Sequence, residues 1–178
     1  MSIAAGLTIE DFEKLPDALA HNHELVDGEL VDVSGNTWEH NKLRDLFVLL
    51  MGSIAEGAGC TVITEQEFDF GGNAHGPDVA IIANAKRHLF NRKLRIQRFV
   101  PDVAIEIVSG NDKFAALMKK AKRYRKCGTS EVWVFCISTR QVFHLSASSN
   151  RILEDDGVFA TELLPGFSIR IGELFDRL

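Results

Sequence analysis

At 178 residues, 46% apolar and 25% charged, the chain is long enough to bury the core of one domain, and its composition excludes disordered, collagen-like and low-complexity classes. No apolar run approaches the ~20 residues of a membrane span, and the first six residues carry neither the basic cluster nor the apolar stretch of a signal peptide. Three scattered cysteines (Cys60, Cys127, Cys136) suit neither a disulfide framework nor a zinc site, so a reduced, cytoplasmic setting is expected.

In chain order, Thr8-Ile9-Glu10-Asp11 followed by Phe12 and Leu15 predicts a capped short helix stopped by Pro16. Leu25 to Val33 predicts two strand pieces around an Asp27-Gly28 turn. Leu43, Leu46, Phe47, Leu50 and Ile54, spaced by three and four, predict an amphipathic helix from His40 to about Ala55. Thr61 to Phe70 alternates and reads as one strand. Asp78 to Ala83 and Pro101 to Val108 are apolar runs bounded by breakers, hence two further strands. The 17 residues between them hold six bases and no acid, which suggests a functional, mobile or partly helical connection. A helix from about Asp112 to Cys127 follows, then strands Glu131 to Ile137 and Gln141 to Leu145, a weaker hairpin through Leu153, Gly157 and Phe159, and a helix from Ile171 to Leu178. The expected fold class is a single α/β or α+β domain.

The net charge of −5 conceals an asymmetry. Residues 84–128 hold 13 of the 20 Lys and Arg and three of the 25 acids, a local balance of +10 against −15 elsewhere. Such segregation is compatible with a solvated face or with a basic surface that holds an anion.

Two carboxylates stand out. Glu106 interrupts the core-like run Val103-Ala104-Ile105-Glu106-Ile107-Val108, and a buried carboxylate is costly unless paired or bound to metal. Asp78 opens the preceding strand. If the strands pair antiparallel with their ends matched, Ala83 faces Pro101 and Asp78 faces Glu106, at a Cβ separation of about 5 Å. Carboxylates that close share a proton or a cation. Asp102 lies about 13 Å along the strand from Glu106 and cannot join it on one ion. On the following helix, Phe114, Leu117, Met118, Ala121 and Tyr124 form an apolar face with Lys120 at its edge, placed to reach the strand carboxylates. Lys122 occupies the opposite edge and is an alternative. Lys119, Arg123 and Lys126 are expected in water.

Pro77-Asp78, Ile105-Glu106-Ile107-Val108-Ser109 and Lys120-Ala-Lys-Arg-Tyr124 resemble the Uma2 family (DUF820) of the PD-(D/E)XK nuclease superfamily. His23 to Leu30, His40, Gly128 to Val134, Leu164 to Phe167 and Glu173 to Phe175 extend the resemblance over roughly residues 8–178. It implies a restriction-endonuclease-like core, a mixed β-sheet flanked by helices. A Mg²⁺ (or Mn²⁺) ion would be held by Asp78, Glu106 and the backbone carbonyl of Ile107. Lys120 would serve as the catalytic lysine, moved from the usual position two residues after the acid, here Val108. Glu24 would be an additional carboxylate at the site. His40 is a weaker candidate, expected to bond backbone at its helix start. The chain departs from the family pattern at Ser109-Gly110-Asn111, Ala116 and Cys136.

The implied activity is metal-dependent hydrolysis of nucleic-acid phosphodiester bonds, those of DNA first. Lys120 would assist the attacking water, while Arg87, Arg92, Lys93, Lys119 and Arg123 would contact backbone phosphates. The resemblance also implies a homodimer. The alternatives are a catalytically inactive nuclease-fold module that binds nucleic acid or a protein, and a structural oligomeric module with solvated acids.

Overall fold

A computed structural model describes residues 6–33, 35–108 and 114–178. Thr8 caps α1 (Ile9–Glu13): its side chain accepts from the Asp11 N–H, and Asp11 accepts the Thr8 N–H at 3.1 Å. Pro16 ends that segment but also starts a short α2 (Asp17–Ala20), which the sequence reading lacks. β1 (His23–Val26) and β2 (Glu29–Asp32) form the expected hairpin, with Val26 opposite Glu29. Asp27 (φ 51°) and Gly28 (φ 86°) both take positive φ, the pattern of a two-residue turn matched to strand twist.

Gly28 also lies against the backbone of Gly6, where an added Cβ would stand 2.9 Å from the Gly6 Cα. Gly28→Ala is therefore expected to cost about 2 kcal/mol, from the left-handed backbone and the clash together, read as a lower urea midpoint at unchanged slope.

α3 (Trp38–Gly57) is capped by Thr37, whose hydroxyl accepts from the His40 N–H at 3.3 Å. It buries His40, Leu43, Phe47, Met51 and Ala55, one stripe at helical spacing. The predicted strand from Thr61 to Phe70 is instead two. β3 (Thr61–Thr64) stops where Glu65 turns left-handed (φ 55°), and β4 (Phe68–Asp69) joins another sheet. A single alternating pattern thus crosses between sheets, and the reversal at Glu65 is invisible to period-two reasoning.

β5 (Ala74–His75), β4, β1 and β2 make a four-stranded sheet in the order β2-β1-β5-β4. The main sheet is mixed. It comprises β3, β6 (Val79–Ile82), β7 (Val103–Val108), β8 (Glu131–Cys136), β9 (Gln141–Ser146) and β10 (Asn150–Leu153), ordered β10-β9-β8-β7-β6-β3. Only β7 and β8 are parallel, and α4 (Phe114–Lys126) is the crossover between them. The expected start of this helix at Asp112 lies outside the described residues, as does Ser109-Gly110-Asn111.

α3 packs one sheet face: Phe47 and Met51 meet Val79, Ile105 and Phe135. α4 covers the other, with Ala121 and Tyr124 against Ala80, Ala104 and Val134. The predicted hairpin through Gly157 is not formed. β10 pairs with β9, whereas β11 (Val158–Ala160) pairs with β12 (Ser168–Arg170), ahead of α5 (Ile171–Phe175).

The basic connection 84–100 begins with a 3₁₀ turn over Asn84–Leu89 and is pinned by buried Gln97, whose amide donates to the carbonyls of Asn91 and Leu94. Half its bases serve this anchoring: Lys86 pairs with Asp102, Arg95 with Glu67, and Arg98 with Glu13. No described helix is long and apolar enough to cross a membrane.

Candidate active site

The antiparallel ladder of β6 and β7 runs Val79↔Ile105, Ala80↔Ala104 and Ile81↔Val103. One step further, the same register puts Asp78 opposite Glu106, as the matched-end pairing anticipates. Both are buried. β7 alternates, so Val103, Ile105 and Ile107 enter the α3 core while Glu106 points to α4. Asp78, at the mouth of β6, is reached from two elements. His40 Nε2 of α3 lies 3.0 Å from Oδ1, and the Ile107 N–H donates to Oδ2 at 2.6 Å. His40 therefore bonds a carboxylate through its ring, contrary to the backbone role expected for it. Its place in the buried stripe of α3 carries the ring to the strand end. Asp78 raises the His40 pKa against the downward effect of burial.

Lys120 reaches the strands as the helical wheel anticipates. Its ammonium lies 3.0 Å from Glu106 Oε1 and 2.8 Å from Glu24 Oε1, reached from nearly two turns into α4. Tyr124, one turn on, donates to Glu106 Oε1 at 2.7 Å. Lys122 faces solvent. The buried carboxylates hold the Lys120 pKa above its ordinary value, so it is an ammonium throughout the physiological range. Glu106 moves the other way. Burial raises it to about 8, Lys120 opposes this, and Asp78 and Glu24 add to it.

Glu24 is fixed more completely than the sequence suggests. Its Oε2 lies 2.8 Å from His75 Nδ1, and its Oε1 accepts the Gly76 N–H at 3.1 Å as well as Lys120. Burial alone would raise its pKa, but Lys120 and His75 outweigh burial and bring it to about 2. His75 Nε2 faces Arg123 Nη1 at 3.4 Å; a guanidinium only donates, so Nε2 accepts and Nδ1 carries the proton given to Glu24. Burial lowers the His75 pKa, in keeping with that neutral ring.

His75 and Asn73 are absent from the sequence reading. His75 ends, and Asn73 directly precedes, the two-residue strand β5, too short for any periodicity to show. The only signal is a histidine three residues before Asp78. Arg123, expected in water, is mostly covered: it donates to Asn73 Oδ1 and, at 2.7 Å, to Asp27 Oδ1. The β1–β2 turn supplies Asp27 and the β4–β5 connection supplies Asn73, and Lys119, though exposed, reaches Asp27 Oδ2 at 3.1 Å. Arg87, Arg92 and Lys93 are exposed on the basic connection.

Glu24, His40, Glu65, Asp78, Glu106 and Lys120 line one cleft of about 680 Å³. Glu65 pairs with Arg44 at 2.9 Å, yet burial and Asp78 raise its pKa. Among the described residues no three or more His, Cys, Asp and Glu side chains are arranged to hold a metal ion. The oxygens that would hold a cation are those of Asp78 and Glu106 with the Ile107 carbonyl, which leaves the strand on the same edge as the Ile107 N–H bonded to Asp78. Hard oxygens, two of them carboxylate, with room for water, fit Mg²⁺ or Mn²⁺. Burial is the main cause of the upward shift of Glu106, with Asp78 and Glu24 adding to it against Lys120, and a cation beside the carboxyl would favour its charged form.

A crystal structure described as a putative nuclease belonging to DUF820, from Anabaena variabilis, superposes with a TM-score of 0.85 at 20% identity, over 96% of this chain and 98% of that one. A cryoEM structure of a DrdV–DNA complex gives a TM-score of 0.43 at 16% identity, over 78% of this chain and 11% of that one. Among curated proteins none matches. The Uma2 family model, described as "Putative restriction endonuclease", matches residues 9–172, nearly the whole chain, and the chain belongs to that family.

Proposed function

We propose that the protein is a metal-dependent nuclease that hydrolyses phosphodiester bonds of nucleic acid, DNA first. The observation that carries this reading is the Lys120 ammonium held between Glu24 and Glu106 on the wall of a cleft where Asp78 and Glu106 face each other. Membership of a family described as "Putative restriction endonuclease" supports it.

Asp78 and Glu106 would hold the divalent cation, with the Ile107 carbonyl beside them. When bound, the ion supplies Lewis acidity at a phosphate oxygen and a lower pKa for a neighbouring water. The chain's own groups do the positioning. His40 and the Ile107 N–H fix the Asp78 carboxylate. Tyr124 and Lys120 fix Glu106. Lys120 presents a permanent positive charge where charge builds up on the phosphoryl oxygens. Glu24, its oxygens already taken, acts through Lys120 rather than by exchanging protons. Arg87, Arg92 and Lys93, with Lys119 and Arg123 once Asp27 is displaced, would contact backbone phosphates and make binding salt-dependent.

The test is cleavage of supercoiled plasmid and of a single-stranded oligonucleotide in Mg²⁺, Mn²⁺ or EDTA. Cleavage by wild type in either metal, absent in EDTA and absent in Asp78→Asn, is the expected result. Binding without cleavage by folded wild-type protein would replace the nuclease by a nucleic-acid-binding module of the same fold.

A further inference from the structure

A second cleft, also about 680 Å³, adjoins the first. The two share Glu24, Gly76 and Glu65 as their common ridge. Both ridge carboxylates are neutralised, Glu24 by Lys120 and Glu65 by Arg44 at 2.9 Å, so a phosphodiester strand can cross there without facing a bare anion.

Three features of the second cleft suit a nucleotide. Phe90, on its wall, is 43% exposed, a large apolar ring left open beside a polar cavity. Arg92, two residues on, is exposed and lines the same cleft, and among the described residues it pairs with no carboxylate. One buried polar atom of a lining residue, His23 Nδ1, has no hydrogen-bond partner among the described residues, whereas Glu67 Oε2 is held by its ion pair with Arg95 Nε at 3.2 Å. An aromatic face, a lone guanidinium and an unpartnered buried ring nitrogen are what a base and its phosphate engage in single-strand recognition. The volume matches a small-ligand site, far less than a duplex requires. Polar atoms inside a cleft reach the Watson–Crick edge of a base only when that base is unpaired.

We propose that the second cleft binds an unpaired nucleotide adjoining the scissile phosphate, its base on Phe90 and its phosphate on Arg92, so that the substrate is single-stranded where it enters the site. The inference rests on the nuclease reading for which phosphate is cut, while the cleft itself is tested by binding alone.

The experiment is fluorescence anisotropy of a labelled 12-nucleotide DNA strand and of its duplex, in EDTA, with wild type, Phe90→Ala and Arg92→Ala. The single strand is expected to bind more tightly than the duplex. Phe90→Ala is expected to weaken single-strand binding tenfold or more, on the order of one lost stacking contact, and duplex binding less than twofold. Arg92→Ala is expected to weaken single-strand binding and to lower its salt dependence by about one charge. Single-strand affinity unchanged in Phe90→Ala, or equal losses on both DNA forms, overturns the cleft; Mg²⁺-dependent cleavage in the same preparation then leaves the nuclease reading standing. Phe90-dependent single-strand binding with no cleavage of either DNA supports the cleft and overturns the nuclease.

Discussion

Replacing Lys120 by methionine is expected to destabilise the metal-free protein by about 4 kcal/mol at pH 8 and to reduce cleavage by about 10²–10³-fold. Methionine keeps most of the apolar stem that runs past Tyr124 but removes the ammonium 2.8 Å from Glu24 and 3.0 Å from Glu106, two carboxylates almost fully withdrawn from water. Breaking a buried pair from one side leaves the remaining charges uncompensated, which costs more than the pair contributes. The pH dependence gives the claim its sign. In the variant, Glu24 and Glu106 both lose the cation that lowers their pKa, so both take up protons more readily in the folded state. Their penalty shrinks as pH falls, and the gap in Tm between wild type and Lys120→Met should be wider at pH 8 than at pH 5. Thermal melts at the two values, with circular dichroism to confirm folding, check it. A pH-independent gap would mean that Lys120 contributes packing rather than charge.

That Lys120 could be placed from sequence, while its neighbours could not, has a physical reason. The register of Asp78 with Glu106 follows from two short apolar runs, each stopped by a breaker, which leave little freedom for slippage. Helical periodicity puts Lys120 at one edge of the apolar face, with Lys122 the alternative at the other, and the family resemblance favours Lys120. Register and periodicity are both local regularities. Arg123 sits on the face of α4 that should be wet, and the helical pattern is not wrong there. The face is covered by the turn at Asp27 and by Asn73, 96 and 50 residues upstream respectively, contacts that no window along the chain contains. His75 is hidden for a different reason: β5 has two residues, and two residues have no period. The left-handed Glu65, which sends β4 into a second sheet and so builds the ridge between the clefts, carries no glycine or asparagine to announce it. Local pattern thus supplies the central acids and the lysine, whereas the groups that orient them come from chain crossings that only the folded molecule displays.

The opposite response is expected at Glu106. In EDTA at pH 8, Glu106→Gln should be more stable than wild type by about 3 kcal/mol, and in saturating Mg²⁺ the order should reverse. Burial, with Asp78 and Glu24 nearby, lifts the folded-state pKa of Glu106 from 4.5 to about 8, Lys120 opposing. Between those values the native state holds a proton that the unfolded chain has released, so stability falls as pH rises through this window, and below about pH 4.5 the carboxyl carries no penalty. Glutamine keeps the shape and can still accept from Tyr124 without ever bearing the charge, so the variant's melting temperature should be flatter from pH 5 to 8 while wild type declines. Magnesium inverts the comparison because a cation that binds only the folded wild type adds RT ln(1 + [Mg²⁺]/Kd), and glutamine offers it no anionic oxygen. Differential scanning fluorimetry at pH 5, 7 and 8, with EDTA or Mg²⁺, reads both halves. A variant less stable than wild type in EDTA at pH 8 would mean that the pairing with Lys120 outweighs the cost of burying the charge. A variant stabilised by Mg²⁺ as strongly as wild type would move the cation away from Glu106. A carboxylate that weakened the empty fold and strengthened the loaded one would be held at this position for what it binds rather than for the stability of the fold.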